Sequence, residues 1–307
     1  VNRFLQYCSG FLSSEIPDDI FKGCTSLAHT DAFFNGCTSL TCSIPRGLFD
    51  SCRSTLIDVS SMFANCKGLT GSIPTGEYST VVGVIGYEIV NKGTEGSYQV
   101  VVAPTDFNTQ ISYEQVILTS PNLQGVVTQN GTSYVKPVKG NITRTVQPGL
   151  LSNCLKLQST AYMFHECQSI TGSIPFDIFY TESAMDRYLN LTNVSYMFSR
   201  LMSLNKPYED VTGVKYLCNE DLFAKCPAIT NISHLFYYLS SMAACNIYPN
   251  LFRNQSQIID ASHLFQFTYA LTGAVTQQFL SSCLGKLQYA HNMFCLCNMT
   301  SVNQNFL

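Results

Sequence analysis

The chain has 307 residues, enough for a sizeable core, with only 12% charged side chains and a formal charge of −3. No basic stripe of the kind a phosphate backbone requires is present, which excludes nucleic acid as a partner. No apolar run reaches the roughly eighteen residues of a spanning helix, so membrane insertion is not expected, and no leader pattern is visible.

From the N-terminus, the phrase Phe-x-x-Cys-x-x-Leu sets a rhythm at Phe21 to Leu27, Phe34 to Leu40 and Phe63 to Leu69, and later at Phe164 to Ile170 and Phe223 to Ile229. Two half-units alternate, Leu-x-x-Val-Ser-x-Met-Phe and Leu-Thr-Gly-Ser-Ile-Pro-x-x-Leu-Phe. Phenylalanines of one type lie 28 or 29 residues apart, as in Phe21 to Phe49 and Phe34 to Phe63. Such a period marks a coil-by-coil repeat in which each unit buries its apolar face only against its neighbours. The i, i+3 spacing predicts a short helical or 3₁₀ turn between strands. The Ile-Pro pairs, as at Ile73-Pro74, suit strand ends because proline cannot donate to a ladder.

The rhythm stops after Pro74, and no cysteine falls between Cys66 and Cys154. Strand-like segments replace it at 81–90, 98–103, 111–118, 125–128, 134–138 and 142–146. They are punctuated by turn chemistry at Asn91-Lys92-Gly93, Pro104-Thr105-Asp106, Pro121-Asn122 and Asn130-Gly131. This predicts a small all-β domain over residues 76–147, a sandwich or barrel, between a first repeat segment (1–75) and a second (148–307). A divergent stretch of repeat is the alternative.

Across both segments the first half-unit stacks seven deep, starting at Leu27, Leu56, Leu157, Leu191, Ile229, Ile258 and Leu287. Its third position is Thr30, Val59, Thr160, Val194, Ile232, Ala261 or Ala290, and its sixth is Phe33, Met62, Met163, Met197, Leu235, Leu264 or Met293. These columns are expected to point inward, each buried side chain contributing roughly 1.5–3 kcal/mol. A charge-rich stretch between Phe179 and Phe223 (Glu182, Asp186, Arg187, Lys206, Glu209, Asp210, Lys215, Glu220, Asp221) breaks the spacing and reads as loops, either a binding face or simply solvated.

Of fourteen cysteines, nine share one slot: Cys24, Cys37, Cys52, Cys66, Cys154, Cys167, Cys226, Cys283 and Cys297. A small thiol suits an inward column, and the parallel side chains of a ladder do not give the roughly 90° torsion of a disulfide. The expectation is reduced, buried thiols and folding in a reducing cytoplasm. The chain opens on Val1, Phe4 to Cys8 reads as a degenerate copy, and Phe294-Cys295-Leu296-Cys297 opens a unit that Leu307 cuts short. Coils without polar caps expose core residues, so the reading is a fragment or a subunit whose ends meet other protein subunits.

The rhythm Ile-Pro-x-x-x-Phe-x-x-Cys-x-x-Leu over 4–74 and 148–307 resembles leucine-rich repeats of the BspA-like, or Treponema pallidum, type, and Leu-Thr-Gly-Ser-Ile-Pro is also similar to the plant-type repeat. The resemblance implies an α/β repeat solenoid of short strands and short helical or 3₁₀ turns, here with an inserted all-β domain. It further implies an adhesive or interaction role, since such repeats occur on bacterial surfaces and in phage-encoded proteins. The expected function is thus a non-enzymatic binding or structural module. It would be a virion component (tail or fibre) or a bacterial cell-surface adhesin, contacting a host receptor or glycan. A soluble interaction scaffold and a carbohydrate-active enzyme are the alternatives.

The candidate contact surface is the slot preceding the sixth position, occupied by Ser61, Tyr162, Tyr196, His234, His263 and Asn292, which reads as an outward polar and aromatic ridge. No catalytic, metal or cofactor residue is assigned. His291-x-x-x-Cys295-x-Cys297 is the nearest approach to a metal cluster but lacks the paired cysteines of a structural zinc site. His165-Glu166-Cys167 places its cysteine in the column, where a buried thiol is inert. No phosphate loop, dinucleotide fingerprint or nucleophile elbow occurs. Seven Asn-x-Ser/Thr sequons are present, and two of them, Asn193 and Asn231, fall at matching repeat positions where a structural asparagine suffices.

Overall fold

The computed structural model describes residues 2–10, 15–91, 133–180 and 189–302. Contacts divide the chain into two units, 1–76 with 148–307, and 77–147.

In the larger unit the backbone winds in coils that lie on one another. Equivalent positions pair in parallel through the series His29, Asp58, Ser159, Asn193, Asn231, Asp260 and Tyr289. These are single bridges rather than strands, and the cause lies in the residues that follow. Ser61, Phe63 and Asn65 donate their N–H groups to the next coil, at Ala161, Met163 and His165, whereas Met62, Ala64 and Cys66 donate back three residues within their own coil. The alternation requires left-handed backbone at two places per coil. Ser61, Tyr162, Tyr196, His234, His263 and Asn292 all have φ of 54–59°, and Asn65, Glu166, Arg200, Tyr238, Phe267 and Leu296 have φ of 57–61°. Phe-x-x-Cys therefore makes the i→i+3 bond that its spacing suggests, but the left-handed residue before the cysteine stops it propagating as a helix. The described residues contain one 3₁₀ turn, Ser281–Cys283.

The apolar columns fill the interior. Leu56, Leu157, Leu191, Ile229 and Ile258 are buried, as are Met62, Met163, Met197, Leu235 and Leu264. One phenylalanine per coil stacks face to face from Phe34 through Phe63, Phe164, Phe198, Phe236 and Phe265 to Phe294, with centroids 5.5–6.1 Å apart. All fourteen cysteines are free thiols, and Cys24 is exposed rather than inward. Several buried thiols have a specific task. Cys66 donates to the Phe34 carbonyl at 2.9 Å and Cys167 to the Phe63 carbonyl at 2.9 Å. Thr268, in the same slot, donates to Phe236 at 2.6 Å, and Gln255, in the matching slot of the other half-unit, donates to Phe223 at 2.6 Å. In these coils the slot carries a small or flexible donor that reaches a carbonyl of the neighbouring coil, whereas the buried Leu201 and Leu239 fill it in two others by packing alone. Burial pushes the Cys66 and Cys154 thiols up to about 12 and Cys167 well above its ordinary value.

The Ile-Pro elements form no strand. They open turns, with Leu48 donating to Pro45 at 3.4 Å. Leu150 donates to Pro74 at the same distance, so the coil resumes after the insertion where it was interrupted. Arg53 fastens this junction. Its Nη1 donates to the carbonyls of Gly149 (2.8 Å), Leu150 (3.1 Å) and Ser152 (2.8 Å), while Nε and Nη2 hold Asp50. The buried Asp177 accepts from the Gly76 N–H at 2.5 Å on the other side.

In the smaller unit, β1 (Glu77–Asn91) and β2 (Ser133–Gln147) form an antiparallel pair with register shifts at Glu77/Tyr78 and Val84/Gly86. The segments 134–138 and 142–146 belong to one continuous strand rather than two. The segments at 98–103, 111–118 and 125–128 lie outside the described residues.

Candidate binding ridge

The slot that carries Ser61, Tyr162, Tyr196, His234, His263 and Asn292 is left-handed in every coil, Ala32 included (φ 53°). A side chain leaving a left-handed residue next to an inward Met or Leu points away from the core. Because the conformation recurs at every level, the backbone strain of roughly 1 kcal/mol per residue belongs to the architecture and does not by itself mark a site.

Four of the six residues come together. Tyr162 stacks on Tyr196 (4.3 Å, 9° between planes), Tyr196 on His234 (4.1 Å, 9°), and His234 on His263 (4.4 Å, 24°). The same coils hold their phenylalanine rings 5.5–6.1 Å apart, so equivalent side chains converge along the ridge. The ring faces are covered by one another and the polar edges are presented. Tyr162 is 37% exposed, and Tyr196, His234 and His263 are partly buried. Ser61 continues the slot without a ring. At the other end Asn292 does not extend the column. Its neighbour His291 does, meeting His263 edge-on at 4.7 Å and bonding the Ser262 hydroxyl through Nδ1 at 3.1 Å.

Beside the ridge runs the column that carries the coil-to-coil bridges, and its residues are held by their own turns. Asp58, Asn193, Asn231 and Asp260 each accept from the N–H two residues on, at 2.8–3.0 Å. Asn193 and Asn231 therefore act structurally, as Asx turns. Between the two columns lies an open groove of about 300 Å³ lined by Tyr196, His234, His263, Asp260, Tyr289 and His291, together with Ser233 and Ser262. Burial brings His234 down to about 4, helped by the neighbouring His263, against the pull of Asp260 and with His291 and His165 adding to it. Tyr196 is raised to about 12, first by burial and then by the adjacent Tyr162.

Further round the coil lies a second aromatic group that the spacing did not single out. Tyr237 and Tyr238 meet Phe267 at 5.5 and 5.8 Å, and the Arg200 guanidinium sits 5.6 Å from the Tyr238 ring centre while pairing with Glu166 at 2.9 Å. Their signal was available in the sequence, since they stand three and four residues after the ridge slot.

In the irregular stretch after Phe179, β3 (Tyr208–Glu209) and β4 (Lys215–Tyr216) form a hairpin. Its turn is organised by Asp210, which accepts from the N–H groups of Thr212 and Val214. Tyr216 stacks on Tyr248 at 3.5 Å, and Val211 projects fully at the tip. Residues 182, 186 and 187 of the charged stretch lie outside the described residues.

The sequence-level metal candidate is not gathered. His291 bonds Ser262, and the Cys297 thiol donates to the Phe265 carbonyl at 3.0 Å. A different group is: His29, Asp31 and Asp58 each offer a ligand atom, and all three atoms lie within 4.8 Å of one another. It was legible as a 29-residue step from His29 to Asp58 with Asp31 two places on, but only if the two columns are known to adjoin. Near Ser262 a hydroxyl does meet an imidazole, yet Ser262 is buried and Asp260 bonds its N–H rather than His291, so no oriented base is assembled. No protein-family model matches this sequence, and no curated protein or solved structure matches it.

Proposed function

We propose that this chain is a non-enzymatic recognition module, a leucine-rich-repeat-like solenoid with a small β-rich insertion, that makes protein or glycan contacts at the exposed surface of a phage particle or a bacterial cell. The observation that carries the reading is the ring column from Tyr162 to His263 at 4.1–4.4 Å. It offers one phenol or imidazole edge per coil on a backbone tied to both neighbours. Rings with two rotors, already stacked, lose little entropy on binding, and tyrosine and arginine are the residue types that dominate contact energetics. The setting at a bacterial or phage surface rests on the resemblance of the repeats. The test is adsorption of the fluorescently labelled chain to intact bacterial cells, compared with a Tyr162→Ser, His263→Ser variant. Serine already occupies this slot at Ser61, so the variant keeps its fold. Saturable adsorption that falls at least tenfold in the variant is expected. Adsorption that is absent, or undiminished in the variant, defeats the reading.

A further inference from the structure

We propose that His29, Asp31 and Asp58 form a site for a divalent cation of the zinc type, apart from the ridge. Two adjacent coils supply it. His29 and Asp58 are bridge partners, so their Cα atoms face one another in neighbouring coils, and Asp31 follows His29 on the same side of the chain. The three donor atoms lie within 4.8 Å of one another. Around a tetrahedral zinc with bonds of about 2.1 Å, ligand atoms stand about 3.4 Å apart. His29 is exposed and both carboxylates are partly buried, so side-chain rotation closes the difference.

Two of the three residues, His29 and Asp31, depart from what the other coils carry in their columns, and both changes add a metal-ligating group. The slot of Asp31 holds Ser60, Ala161, Ser195, Ser233 and Ser262, all neutral and short, and His291 in the last coil, so Asp31 is its one carboxylate. The slot of His29 and Asp58 holds Ser159, Asn193, Asn231, Asp260 and Tyr289 in other coils, so His29 is the one histidine of this column, and Asn193, Asn231 and Asp260 cap the N–H two residues on, as Asp58 does. Asp58 does this with one oxygen, to Ser60 at 2.8 Å, which leaves the other oxygen available. In a chain with only 20 acidic residues, two carboxylates have been set side by side with no ion-pair partner among the described residues. Such a pair repels unless a cation lies between. One imidazole nitrogen and two carboxylates favour zinc, cobalt or manganese over calcium or magnesium. Three protein ligands leave a position for water.

The experiment titrates Co²⁺ and Zn²⁺ into the full chain and compares three variants, His29→Asn, Asp31→Ser and Asp58→Asn. Each installs a residue that other coils carry in that slot. In the presence of a chelator, Asp31→Ser and Asp58→Asn are expected to melt at or above the temperature of the unmodified chain, because a like-charge neighbour is removed, and His29→Asn close to it, because His29 is exposed. One equivalent of metal is expected to bind, with affinity falling at least tenfold in each variant, unchanged in Cys24→Ser and His291→Asn, and with no thiolate-to-cobalt absorption. Four results would each overturn the assignment: no binding, binding indifferent to the three variants, binding lost with Cys24 or His291, or variants that melt far below the parent in chelator.

Discussion

Replacing Cys66 by alanine tests whether the buried thiols are inter-coil hydrogen-bond donors or merely small fillers. Cys66 has no exposed surface, and its Sγ lies 2.9 Å from the Phe34 carbonyl, whose other bond comes from the Cys37 N–H at 3.0 Å. Alanine removes a buried sulfur, costing about 1 kcal/mol in transfer and residual cavity. It also removes a weak donor worth about 0.5–1 kcal/mol. The Phe34 carbonyl keeps one partner, so no full desolvation cost is added. The expected loss is about 2 kcal/mol, read as a lower urea midpoint at unchanged slope. Cys24→Ala, at an exposed member of the same slot, is expected to lose less than about 0.5 kcal/mol. Cys66→Thr is the discriminating variant, since Thr268 already makes this bond at 2.6 Å, and it should recover most of the loss. If Cys66→Ala behaves like Cys24→Ala, or if threonine is no better than alanine, the donor argument is wrong.

Acid should weaken the ridge. The folded pKa of His234, about 4, lies below the unfolded value of 6.5, so its contribution is complete above about pH 6.5 and is lost as the pH falls towards 4. The full shift would amount to about 3.4 kcal/mol. Solvent screening of a partly exposed ring that also faces His263, His291, His165 and Asp260 reduces this to about 1–2 kcal/mol. Thermal midpoints measured from pH 7 to 4 should show it, and His234→Tyr, the residue of this slot at Tyr162 and Tyr196, should flatten the curve. Alkylation of the folded chain with iodoacetamide at pH 8, followed by mass spectrometry of peptides, should label Cys24 first. Cys66 and Cys154, held near 12 by burial, should be spared until unfolding. Equal labelling of all three would contradict the burial. Arg53→Lys should cost roughly 2–3 kcal/mol by thermal or urea unfolding, because an ammonium cannot serve three carbonyls and Asp50 at once. A change under about 0.5 kcal/mol would mean that the junction after the insertion does not depend on it.

The sequence by itself determined which slots are interior. Leucine, methionine and phenylalanine recur at fixed offsets because each coil buries a side chain only against the same position of the next, so Leu157, Met163 and Phe164 could be named as core from spacing alone. It also marked the residues from Tyr162 to His263 as one column, since each stands just before the inward Met or Leu of the same half-unit although the steps between them are 34, 38 and 29 residues. Only the tertiary structure decided how the backbone is bonded. Whether an N–H turns towards the next coil or back on its own chain depends on the sign of φ, and in the two recurring left-handed slots a glycine that sequence would flag occurs at Gly36, the other residues being Ala, Ser, Tyr, His, Asn, Glu, Arg, Phe and Leu. The same holds for Cys66, whose partner carbonyl belongs to another coil, for Arg53, which reaches across an insertion of about seventy residues, and for His29 with Asp58. Those pairings are set by the axial stacking of coils, a separation in space of one hydrogen bond that corresponds to a separation along the chain of 29 residues or more.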